Sequence, residues 1–173
     1  LRMILSKASI LVEGPSDELL VQKIYYKRHG KMPIEDNIDV IAVQGLAFKR
    51  FLSIAKELSK KRIAIVTDND GNYEEKIIQK YKDYINGGYP NIKICADSRN
   101  EFNTLEPQFV EANMQNLSNL KNIIGITGEL SRDEIIKYME NNKTEWALKV
   151  FNTQSDFDIP QYINDAINWV KDE

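Results

Sequence analysis

Four acidic residues stand where their side chains could act together on a bound ion. Glu13 follows the apolar run Ala8–Val12, and Asp17 comes four residues later, so that one helical turn can bring both carboxylates to the same side. Asp68 and Asp70 follow another apolar run, and residues two apart in an extended segment point the same way. If the two apolar runs form neighbouring strands, all four carboxylates meet at one place.

Such a group of carboxylates has a definite chemistry. Like charges at short range repel one another and titrate as a coupled set, so they tolerate proximity only when cations bind among them. Oxygen ligands without histidine or cysteine favour Mg²⁺ or Mn²⁺ over Zn²⁺. Glu-Gly or Asp-x-Asp alone is more often a solvated loop, and only their combination after two apolar strands indicates a metal site.

The residues around these motifs alternate between strand and helix patterns. The predicted strands span 8–12, 37–43, 63–66 and 92–96, and the predicted helices span 15–30, 48–58 and 73–85. Pro15 opens the first helix, Ser16 or Asp17 is able to cap it, and Gly30 marks its end. The alternation indicates parallel βαβ units, which places both acidic motifs at the carboxyl ends of strands, where such sheets bind ligands.

The remainder of the chain has helical patterns. The predicted helices span 106–115, 131–140, 145–151 and 160–171, and Ser131 with Glu134 forms a capping-box pattern. The predicted fold class is therefore α/β, with a mostly parallel sheet flanked by helices and a helical C-terminal extension. We expect an α/β core over 1–105 and a helical part over 106–173 that packs on this core.

Composition narrows the classes of function. The chain has 173 residues, a formal net charge of −3, one cysteine and one histidine. These counts argue against a histidine-rich zinc site, a Ser-His-Asp triad and an internal disulfide, and the cytoplasm is the expected compartment. No apolar run approaches the roughly 20 residues that span a bilayer, so we expect no membrane partner. The Gly-Lys-Ser/Thr phosphate loop is absent from the sequence, so we expect no ATP site in it.

The acidic motifs and three further stretches resemble a known family. Residues 10–17 (ILVEGPSD) and 66–70 (VTDND) resemble the Toprim domain, and more closely the C-terminal Toprim domain of the OLD (overcoming lysogenisation defect) family of ATP-dependent endonucleases. Residues 43–45 with 48–51 resemble the segment between the acidic motifs of that family. Residues 104–106 (TLE) are similar to its later acidic motif at a strand end, and residues 143–148 (KTEWAL) are similar to its late lysine motif.

The resemblance implies a metal-dependent DNA endonuclease. In similar enzymes two Mg²⁺ or Mn²⁺ ions bind among these acids and hydrolyse a phosphodiester. Glu13, Asp17 and Asp68 would hold one ion. Asp70 and Glu106 would hold or orient the second.

The resemblance also implies a catalytic lysine. Lys143 would offset the charge that builds on the phosphate, so that Glu13, Asp68 and Lys143 form the expected catalytic set. Asp17 stands where many members have glutamate. The neighbouring Glu18 is therefore an alternative ligand.

The expected partner is DNA. A net charge of −3 is low for a protein that binds DNA by electrostatics alone, although two dications in the site would add about four positive charges where the phosphate lies. Because the sequence opens on Leu1 and the family carries an ATPase domain, we expect a fragment of a longer chain with an N-terminal ATPase domain. The resemblance also implies a possible homo-oligomer of the full-length protein and a role in antiphage defence.

Other functions remain open at this stage. The module could belong to a topoisomerase, a primase or a recombination protein, although the eight tyrosines show no recognisable motif and no Cys/His set is present. A Mg²⁺-binding phosphate-transfer domain of α/β type also gathers acids at strand ends. A Toprim remnant that only mediates dimerisation is a further possibility, against which the intact acidic set argues.

Overall fold

The strands form one parallel sheet. The structure is a computed structural model that describes residues 2–44 and 48–171; Gly45, from the stretch 43–45, lies outside the described residues, as do residues 1, 172 and 173 of the expected domains. The strands are β1 (Ala8–Val12), β2 (Ile38–Ala42), β3 (Arg62–Val66) and β4 (Ile92–Cys95). They lie in the order β2-β1-β3-β4, and each neighbouring pair is parallel.

The register of the central strands aligns the two acidic motifs. Leu11 of β1 pairs with Ile65 of β3, so that Glu13 lies level with Thr67 immediately beyond the paired residues. Both strands end at the same edge of the sheet because they are parallel. The sheet thus brings together residues that are more than fifty positions apart in the chain.

Helical segments connect and follow the strands. The α-helices are α1 (Arg2–Leu5), α2 (Pro15–His29), α3 (Phe48–Glu57), α4 (Lys82–Ile85), α5 (Leu105–Ala112), α6 (Leu117–Ile124), α7 (Arg132–Asn141), α8 (Lys143–Asn152) and α9 (Gln161–Lys171). Short 3-10 turns cover Pro33–Asp36 and Met114–Asn116, and a π-helical segment covers Glu74–Gln79. Within the residues described, no helix combines the length and apolar character needed to cross a membrane.

Alternate residues of the strands build two separate hydrophobic cores. On one face, Ile10 and Val66 pack with side chains of α2, α9 and the other C-terminal helices. On the other face, Leu11 and Ile65 pack with α3 and with Tyr81. Both faces are therefore covered, which explains why the strands are continuous apolar runs. The predicted α/β class, with a parallel sheet flanked by helices and a helical C-terminal part, is confirmed.

The C-terminal helices extend the first of these cores. α9 lies against β1, β3 and β4, and α8 lies against α2. Phe109 of α5 stacks on Trp146 of α8 with 5.5 Å between the ring centroids, and Trp146 is fully buried. The boundary at residue 105 stays a prediction, because one core runs through both parts.

Several predicted elements differ from those observed. α2 is capped by Gly14 rather than by Ser16 or Asp17, and it ends as predicted at Gly30, whose φ of 71° is left-handed. The helix predicted over 73–85 is instead the π-helical segment followed by α4. α6 was not predicted, because its sequence is rich in asparagine and serine, which favour turns.

Candidate metal centre

A pocket of about 290 Å³ opens where β1 and β3 end. These strands lie on either side of the point where the strand order reverses, which is where open parallel sheets bind ligands. The pocket walls are strand ends and the first residues of α2, α5 and α8. The lining residues are Glu13, Gly14, Pro15, Ser16, Asp17, Asp68, Leu105, Glu106, Lys143 and Thr144.

A larger groove lies elsewhere and lacks this chemistry. It has a volume of about 520 Å³ between α6 and α8. Its charged residues Glu145 and Lys149 pair with each other at 2.6 Å. The smaller pocket is therefore the candidate site, because it gathers ionisable groups from several elements.

Glu13 is fixed by the strands on both sides. Its carbonyl accepts a hydrogen bond from the Gln44 N–H at 3.0 Å, which extends the pairing of β1 with β2. Its carboxylate oxygen Oε1 accepts hydrogen bonds from the Thr67 hydroxyl at 2.6 Å and from the Asp68 N–H at 2.9 Å. The carboxylate of Glu13 therefore faces Asp68, as the spacing of the motifs predicted.

Asp17 faces the pocket from the first turn of α2. Its Oδ2 accepts a hydrogen bond from the Gly14 N–H at 3.0 Å, which is the half of a capping box that is possible when the N-cap residue is glycine. Burial, followed by the charge of Glu13, raises the pKa of Asp17 from 3.8 to about 7. The short side chain of aspartate is thus compatible with both the helix cap and the pocket wall.

The pKa of Asp68 is raised further than that of Asp17. Burial raises its pKa from 3.8 to about 9, and the charges of Glu13 and Asp17 act in the same direction. The weaker contributions come from Glu106 and Asp70. A pKa shift that combines desolvation with several carboxylate neighbours is typical of a functional site.

Asp70 occupies a different position from Asp68. It is exposed, it does not line the pocket, and its φ of 49° is left-handed. The expectation that Asp68 and Asp70 point the same way was therefore wrong, because the segment is not extended at Asp70. Its charge still contributes to the raised pKa of Asp68. A role for Asp70 as a ligand stays a prediction.

Asn69 holds the loop that carries these two acids. Its buried amide nitrogen lies within hydrogen-bond distance of the carbonyls of Asp97, Arg99 and Phe102, at 2.8, 2.9 and 3.2 Å. Its side-chain oxygen accepts a hydrogen bond from the Gly71 N–H at 2.8 Å. The loop after β3 is thereby tied to the loop after β4.

Glu106 enters the pocket from the first turn of α5. The motif that it resembles lies at a strand end in the family, whereas here residues 105–112 form a helix that begins beside the site, close to the start predicted for the helix over 106–115. Glu106 is 1% exposed, and its Oε2 is buried without a hydrogen-bond partner in the described part of the chain. A buried carboxylate oxygen without a donor carries a large desolvation cost, which a cation would offset.

Lys143 is the first residue of α8, and it faces Glu106. Its Nζ lies 3.4 Å from Glu106 Oε1, and 57% of its side chain is exposed. The structure therefore brings Lys143 to the pocket that also contains Asp68, which lies more than 70 residues earlier in the sequence. Its exposed ammonium group could contact a ligand without leaving the pocket.

Glu18 points elsewhere. Its Oε1 lies 3.7 Å from the Arg2 guanidinium and 3.4 Å from the Gln22 amide, and Glu18 is absent from the pocket lining. Of the two candidates for the second acidic position, the structure places Asp17 in the pocket.

The donor set fits a hard divalent cation. In the described part of the chain, no three Asp, Glu, His or Cys side chains stand in positions that already coordinate one ion. Three of the four lining carboxylates already contact protein groups: Glu13 accepts a hydrogen bond from Thr67, Asp17 accepts one from Gly14, and Glu106 forms an ion pair with Lys143. Charge and donor type nevertheless match Mg²⁺ or Mn²⁺, because the lining acids supply only oxygen and one buried oxygen lacks a partner.

Three supporting residues escaped the sequence reasoning. Thr67 donates a hydrogen bond to Glu13, and Asn69 links the loop after β3 to the loop after β4 by hydrogen bonds. Thr144 lines the pocket beside Lys143. Thr67 and Asn69 flank Asp68 in sequence, so polar residues beside a predicted ligand were the available signal. Cys95, interpreted as a buried thiol, is indeed buried, and burial raises its pKa to about 12.

Comparison with known proteins gives a family match over part of the chain. Residues 4–70, which contain both acidic motifs, match a family model described as the overcoming lysogenization defect protein-like Toprim domain. A comparison with curated protein sequences found no match.

Solved structures resemble the chain over nearly its full length. The C-terminal region of the Burkholderia pseudomallei OLD protein is similar with a TM-score of 0.70 and 15% identity, covering 96% of this chain and 98% of that chain. The C-terminal region of the Xanthomonas campestris pv. campestris OLD protein phased with platinum is similar with a TM-score of 0.72 and 18% identity, covering 99% and 95%. Residues 4–70 are therefore similar to the OLD-like Toprim domain, and the chain has the fold seen in the C-terminal region of OLD proteins.

Proposed function

We propose that the chain is a divalent-metal-dependent DNA endonuclease that hydrolyses phosphodiester bonds at this pocket. The observation that carries the proposal is the convergence of four carboxylates and one lysine from β1, β3, α2, α5 and α8. The raised pKa values of Asp17 and Asp68 support it, because they reflect burial of the carboxylates and then repulsion between them, and bound cations would offset both.

The pocket residues divide into two groups in this proposal. Glu13, Asp17 and Asp68 would hold one Mg²⁺ or Mn²⁺ ion, and Glu106, with Asp70 from the loop, would hold or orient a second. When bound, such ions neutralise phosphate charge and lower the pKa of an attacking water. The protein itself fixes the ligands on strand ends and first helical turns, which are rigid supports for a reacting group.

Lys143 contributes the positive charge that belongs to the chain. Its ammonium group, exposed at the pocket and 3.4 Å from Glu106, is suited to offset charge that develops on the phosphate. The amino ends of α2, α5 and α8 also line the pocket, and their partial positive charge favours an anion there. The phosphate is thus attracted even though the net charge of the chain is −3.

Both parts of the chain build the proposed site. The α/β core over 1–105 supplies Glu13, Asp17 and Asp68, and the helical part over 106–173 supplies Glu106 and Lys143. The similarity to C-terminal regions of OLD proteins supports placing the chain after an N-terminal ATPase domain in a longer protein. Oligomerisation of that protein and a role in antiphage defence belong to the same proposal.

A plasmid cleavage assay tests the proposal. We expect supercoiled DNA to be nicked or linearised with Mg²⁺ or Mn²⁺, and we expect no cleavage in excess chelator or by the Asp68→Ala variant. Asp83→Ala, which removes an exposed aspartate on α4, is the matched control and should cleave normally. Full cleavage by Asp68→Ala would overturn the proposal, and relaxation with religation would favour a topoisomerase module instead.

A further inference from the structure

Thr67 lies between the sheet and the acidic pocket, and its hydroxyl has a specific target. It is 3% exposed, and its Oγ1 donates a hydrogen bond of 2.6 Å to Glu13 Oε1. We propose that Thr67 is a positioning residue that directs the other oxygen of Glu13, Oε2, toward a bound divalent cation. The inference rests on the proposed function of the pocket, and it adds a residue that touches neither the metal nor the DNA.

The backbone around this contact is fixed on both sides. The Thr67 N–H donates to the Cys95 carbonyl at 3.2 Å, which extends the pairing of β3 with β4. The Glu13 carbonyl is held in turn by the Gln44 N–H. Because Thr67 and Glu13 both directly follow paired strands, the position of the hydroxyl relative to the carboxylate is set by the sheet and not by a mobile loop.

The hydrogen bonds to Glu13 converge on one oxygen. The Asp68 N–H donates to Oε1 at 2.9 Å, beside the Thr67 hydroxyl. From the residues that the structure describes, no hydrogen bond reaches Oε2. Two donors on one oxygen fix the plane of a carboxylate and leave its second oxygen for another ligand, as outer groups do around metal ligands.

An alternative role for the Thr67 hydroxyl would be to satisfy the buried polar group next to it. The Tyr81 hydroxyl lies close enough for Thr67 to lower its pKa, although burial raises that pKa to about 12 overall. Tyr81 Oη is nevertheless buried without a hydrogen bond of acceptable geometry in the described chain. The single hydroxyl proton of Thr67 is thus directed to Glu13, and the Tyr81 hydroxyl does not receive it.

Mn²⁺ titration of three variants tests this role. Thr67→Val removes the hydroxyl at nearly constant volume, Thr67→Ala removes it without placing a methyl group against the carboxylate, and Thr67→Ser retains it. We expect both hydroxyl-free variants to bind Mn²⁺ at least tenfold more weakly, the range found for outer partners of metal ligands, and Thr67→Ser to bind within about threefold of the wild type.

A distant threonine supplies the control. The Thr153 hydroxyl accepts a hydrogen bond from the Ser155 N–H at 3.1 Å, so Thr153→Val also loses one hydroxyl contact, but away from the pocket. It should bind Mn²⁺ like the wild type, and circular dichroism should report a folded chain for every variant used. The Thr67→Ser variant distinguishes two roles: positioning of Glu13 by the hydroxyl and packing by the methyl group. It keeps the hydroxyl and loses the methyl group, so it preserves metal binding only if the hydroxyl is what matters.

The outcomes separate the two proposals. Wild-type affinity in Thr67→Val and Thr67→Ala would overturn the role of Thr67 and leave the proposed metal site intact. A wild-type chain that binds no Mn²⁺ would overturn the proposed function and this role together. Weakened binding in Thr67→Ser equal to that in Thr67→Val would also contradict the role of the hydroxyl.

Discussion

Replacing Asp68 by asparagine should stabilise the metal-free protein. Asp68 has a pKa of about 9 in the folded chain against 3.8 for an ordinary aspartate, because it is partly buried and lies among other carboxylates. An acid of this kind stabilises the fold fully below pH 3.8, and that contribution is lost as the pH rises through about 9. At pH 7 the loss amounts to about 4 kcal/mol, from roughly three pH units above the unfolded value at about 1.4 kcal/mol each.

The Asp68→Asn substitution removes this loss of stability, and it also removes a carboxylate that would bind the metal ion. A carboxylate that turns toward the open side of the pocket relieves part of the repulsion, so we expect a gain of about 2 kcal/mol in excess chelator. Mn²⁺ at a hundred times its dissociation constant should then stabilise the wild type by about 2.7 kcal/mol and the variant hardly at all. The difference in free energy of unfolding between the two proteins should therefore shrink or change sign when metal is added.

Urea unfolding at pH 7, with chelator and with Mn²⁺, measures both effects. Asp83→Asn makes the same chemical change at an exposed site on α4 and should alter the free energy of unfolding by less than about 0.5 kcal/mol. A variant Asp68→Asn that is less stable than the wild type in chelator would refute the reasoning. An equal gain in Asp83→Asn would refute it as well, because the gain would then not come from the pocket.

Further predictions concern protons, catalysis and the supporting loop. The pKa values of Asp17 and Asp68 are raised to about 7 and about 9, so protons compete with metal for these carboxylates. Mn²⁺ should therefore raise the unfolding temperature more at pH 8 than at pH 6. An equal rise at both pH values would contradict metal binding at Asp17 and Asp68. Lys143→Ala should lower the rate of plasmid cleavage by about a hundredfold with an unchanged circular dichroism spectrum, since its side chain is 57% exposed, and an unchanged rate would remove it from the catalytic set. Asn69→Ala should lower the free energy of unfolding in urea by about 2–3 kcal/mol, because it leaves buried carbonyls unpaired, and a loss below about 0.5 kcal/mol would show that the loops are held by other contacts.

The sheet and half of the site follow from the sequence for simple physical reasons. Strands buried on both faces must be apolar throughout, so β1 and β3 stand out, and parallel strands end at one edge, so the acids after them meet. Glu13 and Asp68 needed no further information to be placed together. Asp17 followed from one turn of helix.

The remaining features depend on tertiary packing or on local backbone geometry. Glu106 and Lys143 reach the pocket only because α5 and α8 pack beside α2, and no periodicity of the sequence encodes that arrangement; the family resemblance supplied them. The rule that alternate residues share a side failed at Asp70, because the turn there adopts left-handed backbone angles. The hydroxyl of Thr67 could not be assigned without the register of β1 and β3.

Diffraction from crystals soaked in Mn²⁺, recorded to exploit its anomalous scattering, tests the central claim most directly. The account predicts an anomalous peak within coordination distance of the carboxylates of Glu13, Asp17 and Asp68, with Glu106 bordering the same pocket. Crystals that contain Mn²⁺ at another place while this pocket shows no peak would contradict it.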